Sequence, residues 1–110
     1  MKQGEIWNVY FDPIKGSEQA GNRPAVIISG QAMNNNLGVI IVCPITSSVK
    51  NFKGNPILEP TEDNGLLHVS EIMVFHIRAV SKLRFKKRIG FVSEKQLELI
   101  KNTLNAILRH

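Results

Sequence analysis

The sequence predicts a mainly β fold, one small and strongly curved antiparallel sheet or partial barrel that ends in a helix. Two observations support this class. Five or six short runs of β-branched or alternating residues are separated by turn-forming residues, and a helical apolar stripe occurs only at the C-terminal end. The length of 110 residues fits a single domain spanning residues 1–110, and 43% hydrophobic residues suffice for a modest core.

The first strands are predicted by alternation and by β-branched runs. Residues 5–11 alternate, with Trp7, Val9 and Phe11 on one face, which is typical of a half-buried strand. Pro24 favours extended geometry at Arg23, so residues 25–29 form the next strand. Residues 39–43 are the best central strand, and Pro44 is expected to end it. The later candidates are an edge segment at 57–58, strands at 66–69, 75–80 and 89–92, and a strand or a helical turn at 70–74.

The loops and the helix have local signals. Residues 14–22, 31–38 and 46–54 are predicted to be loops, and Asp63-Asn64-Gly65 a turn. Ser93 and Gln96 have the spacing of a capping box, which begins a helix of about 15 residues. Its apolar side chains recur in steps of three and four and are expected to pack on the sheet: Leu97, Ile100, Leu104, Ile107 and Leu108.

The charge distribution indicates a polyanionic partner. The net charge is +5, and residues 72–93 contain six Lys or Arg and no acid. Clustered cations repel one another, so this run favours a nucleic acid as partner, although a solvated basic loop is the alternative.

Other classes of protein are disfavoured by composition. The longest apolar run, residues 39–43, is far shorter than the roughly 20 residues of a membrane span, and residues 1–3 do not resemble the start of a secretory leader. The single cysteine, Cys43, cannot form an internal disulfide, and one Cys with three scattered His has no zinc spacing. We therefore expect a cytoplasmic protein without a membrane segment, a metal or a cofactor.

Two segments carry residues suited to phosphate chemistry. Residues 16–24 place Glu18, Gln19 and Arg23 close together on a loop with glycines near both ends. Arg23 stands where this loop becomes strand, so its backbone is expected to be better fixed than that of Glu18. The planar guanidinium of Arg23 suits a phosphate or a phosphorane-like transition state, although Arg23 could instead pair with Glu18 or Asp12. Hydroxyl groups follow the central strand at residues 46–48, where they either contact a phosphate or cap a turn.

The same segments resemble the MazF/PemK family of toxin ribonucleases. The shared motifs cover nearly the whole chain: GEIW from residue 4, FDP from 11, GSEQAGNRPAVIIS from 16, CPITS from 43, IR from 77 and LELIK from 97. The resemblance implies an SH3-like β-barrel, the fold of MazF, PemK and CcdB-like toxins, and a homodimer. It implies a metal-independent endoribonuclease that cuts single-stranded RNA, often mRNA, at short sequences. It also implies a MazE-like antitoxin that occupies the RNA groove, with an acidic and apolar C-terminal segment that complements the basic groove.

The resemblance assigns three catalytic residues. The essential arginine of the family falls on Arg23, its essential Thr or Ser on Thr46, and the loop acid of several members on Glu18. Without a metal, RNA is cut by attack of the neighbouring 2′-OH, which leaves a 2′,3′-cyclic phosphate and a 5′-OH end. This reaction needs a proton acceptor, a proton donor and a cation for the phosphorane charge.

Further residues are candidates for binding RNA. Phe52, between Lys50 and Lys53, suits a base-stacking platform, unless it folds back onto the core. Phe75-His76 stands where many relatives carry an acid or amide pair, and His76 either contacts a base or is a partly buried strand residue. His68 is expected in the core or an interface. The full set of RNA-binding candidates is Ser17, Gln19, Asn22, Ser47, Phe52, His76, Arg78, Arg84 and Lys86.

Two other classes of function remain as alternatives. CcdB-type gyrase inhibitors are similar in fold, but they lack the Gly-Ser-Glu-Gln…Arg-Pro block. The second alternative is a catalytically inactive RNA-binding module.

Overall fold

The structure, a computed structural model, describes residues 1–11 and 21–110. Most of the predicted loop 14–22, with Ser17, Glu18 and Gln19, lies outside the described residues. The strands are β1 (Glu5–Tyr10), β2 (Asn22–Ile27), β3 (Val39–Thr46), β4 (Ile57–Leu58), β5 (Ser70–Ile72), β6 (Arg78–Ser81) and β7 (Phe85–Phe91). The α-helices are α1 (Gln31–Asn36) and α2 (Glu94–Arg109), and 3₁₀ turns occur at Val74–His76 and Lys82–Arg84. The predicted mainly β class with a C-terminal helix is confirmed.

The strands form one curved antiparallel sheet in the order β4-β5-β3-β2-β1-β7. β3 lies at its centre and changes partner along its length. Residues 39–42 of β3 pair with β6, whereas residues 45–46 pair with β5. Because β3 pairs with two strands in succession, the sheet bends into a half-barrel.

Apolar side chains pack on both faces of this sheet. On one face, Ile100 of α2 packs with Ile6, Val26 and Cys43. On the other face, Val9, Ala25, Ile27 and Val42 form a second cluster with Phe11 and Phe85. Since successive strand residues point to opposite faces, Arg23 shares the face of Ala25 and Ile27.

Helix α2 begins at the predicted capping box and confirms the predicted C-terminal helix. The Ser93 side chain accepts from the backbone N–H of Gln96 at 3.1 Å, and the backbone N–H of Ser93 donates to the Gln96 side chain at 2.9 Å. Leu97, Ile100 and Leu104 pack on the sheet as predicted, but Ile107 and Leu108 are exposed. No helix among residues 1–11 and 21–110 is both long and apolar enough to cross a membrane.

The predicted loop at 31–38 is wrong, because residues 31–36 form helix α1. Three consecutive asparagines favour a turn locally. In the fold, however, the buried Asn34 amide donates to the backbone carbonyl of Ser29 at 2.9 Å, and the Ser29 hydroxyl accepts from the backbone N–H of Ile41 at 3.0 Å. Through Ser29, these hydrogen bonds connect α1 to β3 and stabilise the helix against its local preference.

The predicted end of the central strand at Pro44 is also wrong. Pro44 pairs with Ala25 inside β3, and its carbonyl accepts from the backbone N–H of Met73 at 2.8 Å. Pro44 stands between the residues that pair with β6 and those that pair with β5. A proline is tolerated there because the ladder has a break at the position of its missing N–H.

Three further strand predictions need correction. Residues 66–69 are not a strand, because the Asn64 side chain accepts a hydrogen bond from the backbone N–H of Leu66 at 3.0 Å. The predicted strand 75–80 begins only at Arg78, since Val74–His76 form a 3₁₀ turn. β7 begins at Phe85, before the predicted residue 89, because Phe85 pairs with Val9. Residues 70–72 form a strand, one of the two alternatives for that segment.

The turn around Asn64 packs directly on β7. A Cβ atom added to Gly90 would lie 2.3 Å from the carbonyl oxygen of Asp63. The backbone N–H of Phe91 donates to that same carbonyl at 2.8 Å. The chain segments approach this closely only because residue 90 has no side chain.

We predict that Gly90→Ala destabilises the fold by about 3 kcal/mol, because either β7 or the Asn64 turn must move. Equilibrium urea unfolding measures this change. Gly38→Ala is the matched control, since no atom lies within 4 Å of its added Cβ. Equal stability of the two variants would contradict the close approach.

Candidate nucleic-acid interface

Arg23 and Thr46 lie at the same end of the sheet. Arg23 is the second residue of β2 and pairs with Val9 of β1, so its backbone is held by a strand as expected. β2 and β3 pair with Ala25 opposite Pro44. Two residues further along this register, Arg23 lies opposite Thr46, and the two side chains are on the same face of the sheet.

Two adjoining clefts meet at this pair. One, of about 480 Å³, is lined by Phe11, Lys50, Met73, His76 and Arg78, and we call it the basic cleft. The other, of about 610 Å³, is lined by Asn8, Ser47, Leu66, Leu67 and His68, and we call it the neutral cleft. Arg23, Ile45, Thr46 and Ser48 line both. A ligand that crosses from one cleft to the other therefore passes Arg23 and Thr46.

The hydroxyl of Thr46 is oriented by its own turn. Its Oγ1 accepts from the backbone N–H of Ser48 at 3.0 Å, so Thr46 does cap the turn after β3. A hydroxyl that accepts through its oxygen keeps its proton for donation. The two uses foreseen for residue 46, a cap and a donor to phosphate, are therefore compatible.

A buried carboxylate that sequence analysis missed holds the loop after Thr46. Glu71 of β5 pairs with Thr46 and is fully buried. Its carboxylate accepts from the backbone N–H groups of Lys50, Asn51 and Phe52 at 2.7, 2.7 and 3.1 Å. It also accepts from the Asn55 amide at 2.8 Å. One acidic side chain thus fixes the loop that carries Lys50 into the basic cleft.

These hydrogen bonds determine the protonation of Glu71. Burial by itself raises the pKa of a carboxyl, but donation from Asn55 and from the backbone of Asn51, Lys50 and Phe52 outweighs it. The pKa of Glu71 therefore lies below its ordinary value of 4.5, and the loop is held by a carboxylate at neutral pH.

Three aromatic rings form a row beside the basic cleft. The Phe52 ring lies 5.5 Å from that of Phe75, and Phe75 lies 5.0 Å from the His76 ring, both edge to face. Phe52 is 49% exposed and Phe75 45%, so Phe52 does not fold back onto the core. His76 is exposed in a 3₁₀ turn and not part of a strand. Phe75, missed as a site residue, connects the two predicted ones.

Four of the six cations of the basic run lie in three different places. Arg78 lines the basic cleft and lies over the Phe11 ring at 5.1 Å. Arg84 and Lys86 flank the Tyr10 ring at 5.7 and 5.8 Å, outside both clefts. Arg88 forms an ion pair with Glu5 at 3.1 Å. The remaining candidates also differ in place, since Ser47 lines the neutral cleft, whereas Asn22 begins β2 and lines neither cleft.

The structure also places the cysteine and His68. Burial raises the pKa of the Cys43 thiol to about 12, so this side chain is protonated and a poor nucleophile. No cluster of three His, Cys, Asp or Glu that could hold a metal occurs within the described ranges. His68, expected in the core or an interface, is exposed and lines the neutral cleft, so the core alternative is wrong.

The half-barrel sheet with one C-terminal helix and a pair of clefts at the sheet end defines a class of small β-barrel proteins, and solved structures share this fold. A crystal structure of MazF from Deinococcus radiodurans superposes with a TM-score of 0.83 at 24% identity, covering 100% of this chain and 97% of that one. A MazE-MazF structure from the same organism has a TM-score of 0.82 at 25% identity, over 98% and 95% of the two chains. The predicted SH3-like barrel of these toxins is confirmed.

The sequence comparisons identify the family. The family model described as "PemK-like, MazF-like toxin of type II toxin-antitoxin system" matches residues 2–108. The endoribonuclease toxin MazF of Escherichia coli strain K12 is 36% identical over 103 residues, which cover 94% of this chain and 88% of that protein. The chain belongs to the PemK/MazF family of type II toxins.

We predict that Glu71→Gln lowers the free energy of unfolding by about 1–3 kcal/mol at pH 7, because buried N–H donors lose their charged acceptor. A lowered folded-state pKa gives stability that is complete above pH 4.5 and is lost as the pH falls through the folded value. Between pH 7 and pH 3, the free energy of unfolding measured in urea therefore falls less for Glu71→Gln than for the parent. Glu62→Gln removes an exposed carboxyl and is the control. A Glu71→Gln protein with the parental free energy of unfolding at both pH values would contradict the role of Glu71.

Proposed function

We propose that this chain is a sequence-specific, metal-independent endoribonuclease that cleaves single-stranded RNA, mRNA included. The relative from Escherichia coli is named an endoribonuclease toxin, and this chain shares 36% of its residues over nearly its whole length. The observation that carries the proposal is the position of Arg23 and Thr46 at the junction of two clefts. A phosphodiester that bridges the clefts has a cation and a hydroxyl beside it.

The proposed reaction is an internal transphosphorylation. The 2′ oxygen attacks the adjacent phosphorus, the bond from phosphorus to the 5′ oxygen breaks, and a 2′,3′-cyclic phosphate and a 5′-OH end result. Arg23 stabilises the added negative charge and is the candidate for delivering the proton that the leaving 5′ oxygen takes up. Thr46 donates to a nonbridging oxygen or assists the 2′-OH. Glu18, outside the described residues, is proposed to orient or deprotonate the 2′-OH.

The other predicted residues are proposed to bind the RNA strand. Lys50 and Arg78 supply charge for phosphates in the basic cleft, and the row Phe52–Phe75–His76 offers ring faces to bases. Arg84 and Lys86 extend the positive surface along Tyr10. Ser17, Gln19, Asn22 and Ser47 are proposed as polar contacts.

An antitoxin partner follows from the same relationship. A related MazF has been solved together with MazE, and the family model describes toxins of type II pairs. We propose that a MazE-like antitoxin inhibits this chain by laying an acidic and apolar segment over the basic cleft, where Lys50 and Arg78 lie beside exposed rings. The homodimer and the cytoplasmic location stay predictions.

We predict that Arg23→Ala slows RNA cleavage by at least about 10²–10³-fold, and Thr46→Ala by about 10²-fold, because each removes a preorganised donor. The assay follows a long single-stranded RNA in EDTA and maps the 5′-OH ends of the fragments. Arg109→Ala, at the end of α2, removes an equal charge away from both clefts and should cleave like the parent.

Cleavage by Arg23→Ala at the parental rate would show that the assigned site is wrong. Intact RNA with the parent protein, together with inhibited supercoiling by gyrase, would favour the CcdB-type alternative. Binding of RNA by the parent without cleavage would favour the inactive module.

We predict that Lys86→Ala reduces the slope of log affinity against log salt by about 0.7, the value for one phosphate contact on a single strand. Fluorescence anisotropy with 2′-O-methylated RNA measures it, because a methylated 2′ oxygen cannot attack. Lys101→Ala, on the exposed side of α2, is the matched control and should keep the parental slope. An unchanged slope for Lys86→Ala removes Lys86 from the binding surface.

A further inference from the structure

The neutral cleft differs chemically from the basic cleft. Lys50 and Arg78 join Arg23 around the basic cleft, whereas Arg23 is the one Lys or Arg among the described residues that line the neutral cleft. Its other walls are apolar side chains and uncharged hydrogen-bonding groups, among them Leu66, Leu67, Asn8 and Ser47. Phosphates need positive charge, whereas a base needs apolar contact and a few directed polar groups.

Hydrogen bonds from two side chains hold the backbone of the loop 61–68, which lines the neutral cleft. The buried Asn64 side chain accepts from the backbone N–H groups of Thr61 and Leu66, both at 3.0 Å, and donates to the carbonyl of Glu59 at 2.8 Å. The same turn lies against Gly90 of β7. The support continues on the other side of the loop, where the Ser70 hydroxyl donates to the backbone carbonyl of His68 at 2.8 Å.

The loop 61–68 exposes an apolar side chain to solvent. Leu67 is 86% exposed, and His68 beside it is also exposed and lines the cleft. The exposed leucine adds nothing to the core. A loop with a held backbone that displays an apolar side chain and an imidazole at the rim of a cleft can bind a planar group at a reduced cost of ordering the backbone.

We infer that the neutral cleft binds the base of a nucleotide next to the scissile phosphate, and that Leu67 and His68 determine which base is accepted there. Because Arg23 and Thr46 line both clefts, a strand whose phosphate lies at this pair has one neighbouring base in reach of the neutral cleft. Leu67 supplies the apolar contact, and the His68 ring stacks or hydrogen-bonds to the base edge. The inference rests on the proposed ribonuclease function.

The experiment cleaves a pool of randomised single-stranded RNA and sequences the ends. The parent, Leu67→Ser and His68→Ala are compared, with Leu83→Ser as control, since Leu83 is 89% exposed and lines neither cleft. Both cleft variants should lose about tenfold in base discrimination at one position beside the cut, the size of a lost stacking or edge contact. Preferences at the other positions and those of Leu83→Ser should match the parent.

The outcomes separate the inference from the function on which it rests. Parental base preferences in both cleft variants, with cleavage intact, overturn the neutral cleft as a base site and leave the ribonuclease proposal standing. An equal loss of rate on every RNA by His68→Ala, with unchanged preferences, also overturns it, because His68 then acts on the reaction and not on a base. A parent that cleaves no RNA overturns both proposals. Circular dichroism of the variants confirms that each compared protein is folded.

Discussion

The register between β2 and β3 is the constraint on which the site depends. With Ala25 opposite Pro44, the ends of the two strands bring Arg23 and Thr46 to one face, and a slip by one residue would move one of them to the other face. A buried polar network at the far end of the pair opposes such a slip. The Ser29 hydroxyl accepts from the backbone N–H of Ile41, and Asn34 bonds to Ser29. A slip would leave these buried groups unpaired, which costs more than the bonds contribute when formed.

Glu71 adds a second constraint from the other side of β3. Its position opposite Thr46 couples the end of β3 to the loop 50–52, whose three N–H groups point at one carboxylate. Asn55 extends this network, since its side chain also accepts from the backbone N–H of Val74, where the turn with Phe75 begins. The backbone that carries Lys50, Phe52 and Phe75 is therefore positioned before any ligand arrives, which reduces the entropy cost of binding.

The electrostatic pattern of the surface follows from the strands and not from the run of cations in the sequence. Residues 78–88 pass through β6, a 3₁₀ turn and β7, so their side chains separate. Arg78 faces a cleft, Lys86 lies on Tyr10, and Arg88 is engaged by Glu5. This separation leaves one cleft rich in positive charge and its neighbour nearly uncharged, and Arg23 and Thr46 lie at their boundary.

The sequence by itself determined the features with short-range causes. The capping box of α2, strand β1, the edge segment at 57–58 and the extended geometry of Arg23 before Pro24 are all readable from neighbouring residues. Only the tertiary structure decided that Asn34 belongs to a helix, that Pro44 lies inside a strand, and that Glu71 is buried under the loop. Each of these depends on hydrogen-bond partners outside the element itself: Ser29 joins α1 to Ile41 of β3, and Glu71 bonds to Lys50 and Asn55. Burying a polar group is favourable only when the fold supplies its hydrogen-bond partners, and a local sequence pattern does not show which residues these partners are.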